Sequence, residues 1–328
     1  MSTHNGNPDG EGRGLFVLDV DPGIDDAVAL FLAHRLVRER CVVATSFGNA
    51  PLEVTHRNLV GLKRAFGCPF PVVKGSAGPL SGREPFFDFY HGTDALGGLS
   101  HLLPEGDEKA PPLEALAGFA APGERVVYCA TGPLTNLATL VRSGSPLVPR
   151  IARVLVMGGG LQAFNCPHES EFNFHADPEA VETVLCSGLD VTIAPFDLGM
   201  SATLAPEDLA RATAGSQWPV MDALLEQSLT TARAHARPNA DIHDCFPVLY
   251  HVWPEQFRTR ALKLSVDAWG AVREDESGHA VTVLAGLRDA DLLPRTLNQC
   301  LTESACPRES DEGGFHAARP TRQPGLPR

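Results

Sequence analysis

Through the first two hundred residues, short runs that are apolar on both faces alternate with longer runs whose apolar positions recur at helical spacing. LFVLDV, CVVATSFG, PVVKG, RVVYCAT, RVLVMGG and DVTIAPFD are brief and Val-rich, the pattern of strands buried on both sides. Between them DDAVALFLAHRLVRE, LEVTHRNLVGLKRAFG, LTNLATLVRS and DPEAVETVLCSG read as helices. Strands alternating with helices predict an α/β fold, a mostly parallel central sheet covered by helices on both faces. Past Leu198 the pattern turns helical, in APEDLARAT and VMDALLEQSLTTARAHA. Two more apolar runs, LKLSVDAWG and AVTVLAGL, flank the charged turn REDESG and predict a small carboxyl-terminal hairpin, and DADLLPRTLNQCL predicts a closing helix. No linker-like stretch divides the chain. A single domain over 14–302 is therefore expected, with disordered segments at 1–13 and 303–328, which are polar and rich in Gly, Pro and charge.

Charge and composition narrow the partners. A net charge of −13 without a basic cluster argues against nucleic acid and anionic membrane. No run of roughly 18 apolar residues exists to span a bilayer, and the amino terminus lacks the apolar core of a secretory signal, so a cytoplasmic location is expected. Eight cysteines are scattered without a C-x-x-C pair, most within apolar runs, and read as reduced core thiols, not as metal ligands.

The chemistry concentrates in LFVLDVDPGIDDAVAL. Asp19, Asp21, Asp25 and Asp26 crowd the carboxyl end of the first strand and the start of the first helix. One of the last two could cap the helix, but capping does not account for four. Carboxylates this close repel unless a cation compensates them, and oxygen ligands without His or Cys point to Mg²⁺ or Ca²⁺. Open parallel sheets bind ligands outside the carboxyl ends of their strands. Asn49, Thr131 and Asn165 fall at that same rim; Asp197 does too, or else caps a helix.

At this point the residues resemble the inosine–uridine-preferring nucleoside hydrolase family. DVDPGIDD matches its amino-terminal signature, and FGN, HGTDALGG, ATGPLTN, VLVMGGG, EFNFHADPEA and IHD follow in the family's order from Leu15 to about Tyr250. The resemblance implies a Ca²⁺ held by Asp21, Asp26, Asp244 and the backbone carbonyl of Thr131. It implies a metal-activated water as nucleophile, with Asp21 taking its proton. Asp25, Asn49, Asn165, Glu171, Asn173 and Asp244 would grip the ribose hydroxyls, and Met157 would line the sugar pocket. His243 would assist departure of the base, with His91 in the base region. A small-molecule ribonucleoside substrate and a homo-oligomer, dimer or tetramer, are implied as well.

Independent chemistry agrees. Cleaving an N-glycosidic bond builds oxocarbenium charge, which carboxylates favour, while imidazole suits protonation of a poor leaving group near neutral pH. Two departures stand out. The stretch before the His–Asp pair, LLEQSLTTARAHARPNAD, lacks the aromatic residues that close over the base in the family, and the hairpin reads ESGHAVTV instead of the family's basic-Gly-Gln/Ser-Thr pattern. Two rivals remain. One is a ribonucleoside-binding protein that has lost turnover; the other is a haloacid-dehalogenase-type phosphatase, with Asp19 as nucleophile and Asp21 as acid.

Overall fold

The computed structural model describes residues 14–106 and 108–303. The expected amino-terminal disordered segment, 1–13, lies outside the described residues, as does all of the expected tail except Glu303.

Strand β1 (Gly14–Val20) leads into α1 (Ile24–Leu36), followed by β2 (Arg40–Thr45), α2 (Leu52–Ala65) and β3 (Val72–Lys74). A long irregular segment precedes β4 (Arg125–Ala130), α3 (Thr135–Arg142) and β5 (Ile151–Met157). Then come the short α4 (Phe172–Ala176), α5 (Pro178–Leu185), β6 (Val191–Ala194), α6 (Phe196–Ser201), α7 (Pro206–Thr213), α8 (Pro219–Ala234) and α9 (Cys245–Val252). Strands β7 (Phe257–Val266), β8 (Val272–Glu274) and β9 (His279–Leu287) and helix α10 (Leu292–Thr302) close the chain. All six strands and all four helices expected in the first two hundred residues are present.

The strands form one sheet in the order β3-β2-β1-β4-β5-β6-β9-β7-β8. Every pair from β3 to β9 is parallel, whereas β7 pairs antiparallel with both β9 and β8. The carboxyl-terminal hairpin is thus not a separate unit. Its second strand aligns parallel to β6, Thr192 opposite Thr282, and extends the main sheet. Part of the expected charged turn is strand β8, paired through Glu274 with Leu264.

Alternation along β1 divides the core. Phe16, Leu18 and Val20 face α1, α2 and the helices α7 to α10, while Leu15 and Val17 face α3 and α5. Helix α1 is apolar around its whole circumference because α2, α8, α9 and α10 enclose it against the sheet. The chain leaves β1 in one direction toward β2 and β3, and leaves β4 in the other toward β5 and β6. The carboxyl ends of β1 and β4 therefore mark a topological switch point, where the sheet opens a crevice. Among the described residues no helix is long and apolar enough to cross a membrane.

Candidate active site

The acids after β1 lie in that crevice. Gly23 stands at the amino-terminal cap of α1, and its amide donates to Asp26 Oδ2 at 2.9 Å, so Asp26 does serve the helix end. The same carboxylate accepts from Asn49 Nδ2 at 3.2 Å and, through Oδ1, from the Thr131 hydroxyl at 2.7 Å. Asp21 Oδ2 accepts the Asn49 amide at 2.7 Å, while its buried Oδ1 has no partner among the described residues. The chain passes so close here that a Cβ on Gly132 would lie 2.8 Å from Asp21 Cγ, and only glycine fits. Asp244, at the amino-terminal cap of α9, joins them from a distant part of the sequence.

Oxygens of Asp25, Asp26 and Asp244 all lie within 4.8 Å of one another. The expected cation ligands Asp26 and Asp244 are thus brought together, with Asp25 as the third member and Asp21 buried beside them. Burial, then the charges of Asp25, Asp26 and Asp21, drive the Asp244 carboxyl well above its usual range. Burial and Asp26 do the same to Asp21, and burial with Asp25 raises Asp26 to about 6. Such a cluster carries more negative charge than its surroundings compensate. A divalent cation fits it, since every donor is a hard oxygen and Asp21 Oδ1 is unclaimed.

Asp19 belongs elsewhere. It points to the other face of the sheet, where Oδ2 accepts from Tyr128 Oη at 2.7 Å and Oδ1 from Asn136 Nδ2 at 2.8 Å. Both oxygens are engaged and the residue is buried, which removes the nucleophile that the phosphatase alternative requires. Asp197 is likewise structural, accepting the amides of Leu161, Gln162 and Ala163.

Above the acids opens a cavity of about 300 Å³. Asp25, Asn49, His91, Thr131, Met157, Asn165, Glu171, Asn173, His243 and Asp244 all line it, leaving only Asp21 and Asp26 of the expected site residues beneath the surface. One end is polar. Glu171 caps α4, its Oε1 accepting the Asn173 amide at 3.0 Å and its Oε2 those of Gly159 and Phe174 at 2.8 and 3.2 Å. Burial outweighs these bonds and raises its carboxyl to about 7. Asn173 Nδ2 donates to the carbonyls of Thr131 at 2.8 Å and Met157 at 3.2 Å, so it holds the loop after β4 against the end of β5. Asn165 Oδ1 accepts the Phe172 amide at 2.9 Å.

The other end is aromatic and basic. His243 lies stacked on Phe196, ring centroids 4.5 Å apart and planes 12° from parallel, with neither ring nitrogen partnered among the described residues. Burial holds its basicity below the ordinary value, against the opposing pull of Asp25 and Asp241. His91 Nε2 lies 3.4 Å from Asp25 Oδ1. Tyr90 Oη and Arg237 Nη1 both donate to Asp241 Oδ2, at 3.0 and 2.6 Å, and the guanidinium lies over the Tyr90 and Phe196 rings. Asp241 Oδ1 is buried and has no partner among the described residues.

Aromatic residues absent from α8 line the pocket from other elements. Tyr90 comes from the irregular segment after β3, Phe172 from α4 and Phe196 from the first residue of α6, just past β6. Sequence reasoning missed these three, with Asp88, His235, Arg237 and Asp241. Phe196 carried a usable signal, since APFD ends a strand at the binding rim, and Tyr90 and Asp241 flank or nearly flank the two histidines.

Residues 16–295 match the family model described as inosine-uridine preferring nucleoside hydrolase. Among curated relatives, a probable uridine nucleosidase 2 of Oryza sativa subsp. japonica is 33% identical over 64% of this chain and 64% of its own length. The non-specific ribonucleoside hydrolase RihC of Shigella dysenteriae serotype 1 is 30% identical over 83% of this chain and 88% of its own. A solved plant nucleoside hydrolase, PpNRh1, has the same fold, with a TM-score of 0.80 and 22% identity over 88% of this chain and 99% of that one. The match to the rice protein spans less than two thirds of its length. The open α/β sheet, with buried acids at its switch point and a polar-to-aromatic pocket above them, has the fold of solved nucleoside hydrolases. The chain belongs to the inosine-uridine preferring nucleoside hydrolase family.

Proposed function

We propose that this protein hydrolyses the N-glycosidic bond of ribonucleosides to ribose and free base, and that Ca²⁺ is its resident cation. One observation carries the reading: the buried acids lie beneath a pocket lined by acid and amide side chains in one part and by aromatic rings, imidazoles and a guanidinium in another. Asp21, Asp26, Asp244 and the Thr131 carbonyl would hold the ion, with Asp25 beside them. When bound, the ion supplies Lewis-acid chemistry that orients and acidifies a water at the sugar. Asp21 takes the water's proton. Asp25, Asn49, Asn165, Glu171 and Asn173 grip the ribose and favour the positive charge that grows on it. His243 donates a proton to the leaving base from a ring held flat against Phe196.

The base end supports a finer reading. Asp241 Oδ1 offers a buried acceptor beside the donor-rich Arg237 guanidinium. That pairing suits a base edge with a ring N–H next to a carbonyl, as uracil and hypoxanthine present, over cytosine and adenine, whose equivalent ring nitrogen has no proton. A cytoplasmic location and a dimer or tetramer complete the proposal, the latter read by light scattering. The activity is tested by reducing-sugar release from a nucleoside panel. Uridine and inosine should be cleaved faster than cytidine and adenosine, and 2′-deoxynucleosides should be poor substrates because a missing hydroxyl leaves buried polar groups unpaired. No ribose release from any member would leave a ribonucleoside-binding protein.

A further inference from the structure

Far along the sheet from the switch point, α5 and the start of β9 bring together Glu182, Cys186 and His279. Glu182 lies on α5 and Cys186, four residues on, caps its carboxyl end with helical backbone angles, so the two side chains project on the same side. Cys186 Sγ lies 3.1 Å from Glu182 Oε1 and 3.4 Å from His279 Nε2, and that nitrogen lies 3.2 Å from the same Oε1. A thiol, an imidazole nitrogen and a carboxylate oxygen thus occupy the corners of one small triangle at the surface.

We infer that Glu182, Cys186 and His279 form a second metal site, selective for Zn²⁺ or a cation of similar softness. Metal–ligand lengths of about 2.3 Å to sulfur and about 2.0–2.2 Å to nitrogen and oxygen put the corners of a tetrahedron roughly 3.3–3.6 Å apart. The observed separations differ from those by about half an ångström or less, which exposed side chains absorb by small rotations. Thiolate and imidazole select this class of ion, whereas the all-oxygen cluster in the crevice suits a hard one. Binding displaces the Cys186 thiol proton to solvent, engages the Nε2 lone pair with the imidazole proton on Nδ1, and leaves thiolate and carboxylate to neutralise the double charge. An adjoining groove of about 610 Å³, lined by Glu182 and Cys186 together with Arg142 and Thr183, leaves room for a water as fourth ligand. The proposal departs from the reading of the cysteines as non-ligands. The pair at the end of α5 carries no spacing motif, and the third residue is 93 positions from Cys186.

The full-length protein, with Ca²⁺ present to occupy the acid cluster, is titrated with Co²⁺ as a spectroscopic probe. One equivalent is expected to produce thiolate-to-cobalt charge-transfer absorption with tetrahedral visible bands, both abolished by Zn²⁺ competition. Cys186→Ser should eliminate the charge-transfer band. His279→Ala and Glu182→Gln should each weaken binding by roughly tenfold or more, since even indirect partners of a metal contribute 10–100-fold. Cys306→Ser, outside the described residues, should leave the band intact, and ribose release should be unchanged in all four variants. Survival of the band in Cys186→Ser, cobalt binding without it, or unchanged affinity in both His279→Ala and Glu182→Gln would overturn the assignment. Because the readout is spectroscopic, failure here is distinct from failure of the hydrolase reading.

Discussion

Replacing Gly199 by alanine isolates the placement of His243 without touching any group that bonds substrate. A Cβ at position 199 would lie 2.8 Å from His243 Cγ and 2.5 Å from Cε1. Carbon contacts settle at about 3.5–4.0 Å, so the ring must retreat by roughly 1 Å. It cannot do so freely, because Phe196 is stacked on it at 4.5 Å. A displacement of that size at a reacting group costs about 100-fold in rate. Helix propensity alone would favour alanine by about 1 kcal/mol, so any activity loss arises from the clash and not from an unfolded helix. The assay compares kcat/KM for inosine with that for p-nitrophenyl riboside, whose leaving group departs without a proton. Inosine cleavage should fall about 100-fold while the riboside loses only a few-fold, with Tm little changed. Equal losses on the two substrates, or no loss on either, would refute the role given to His243.

Asp26→Ala should abolish stoichiometric Ca²⁺ binding in calorimetry together with activity, since it strips a charged ligand from a small cage; full activity in chelator-treated unsubstituted protein would contradict the metal assignment. Ca²⁺ at about a hundredfold over its Kd should raise unfolding stability by about 2.7 kcal/mol, seen as a higher Tm than in chelator. In chelator, stability should fall as pH rises from about 4.5 through 7, because burial raises the folded Glu171 carboxyl to about 7 and that of Asp19 to about 6, against ordinary values of 4.5 and 3.8. Below the ordinary values both states hold these protons, and above them the unfolded chain releases protons the folded one still binds, so a Tm that climbs across this window would be the wrong sign. Asp241→Asn should narrow the uridine-to-cytidine ratio of kcat/KM by about tenfold, the scale of one buried hydrogen bond, and an unchanged ratio would remove Asp241 from base selection.

The parallel half of the fold was legible because strands buried on both faces leave a composition that helices do not share. What escaped were elements set by distant pairing. The hairpin of β7 and β9 reads correctly as local structure, but nothing in it announces that β9 aligns with β6. Helix α9 is eight residues long and has Pro247 in its first turn, too short to show a period. The site divides the same way. Asp21, Asp25 and Asp26 crowd one short segment and signal a cation locally, and the acid and amide of EFNF, Glu171 and Asn173, stand out as well. The Tyr90–Asp241 bond joins residues 151 positions apart, so the substitute for the missing aromatic residues on α8 could not be read from α8 itself.

The most direct test is ribose release from uridine and inosine by purified full-length protein, stripped with chelator and then resupplied with Ca²⁺. Stoichiometric ribose and free base should appear only after Ca²⁺ is restored, and Asp21→Ala should remain silent under the same conditions. Equal turnover in the stripped protein, or bound nucleoside recovered intact after long incubation with Ca²⁺, would contradict a metal-dependent ribohydrolase.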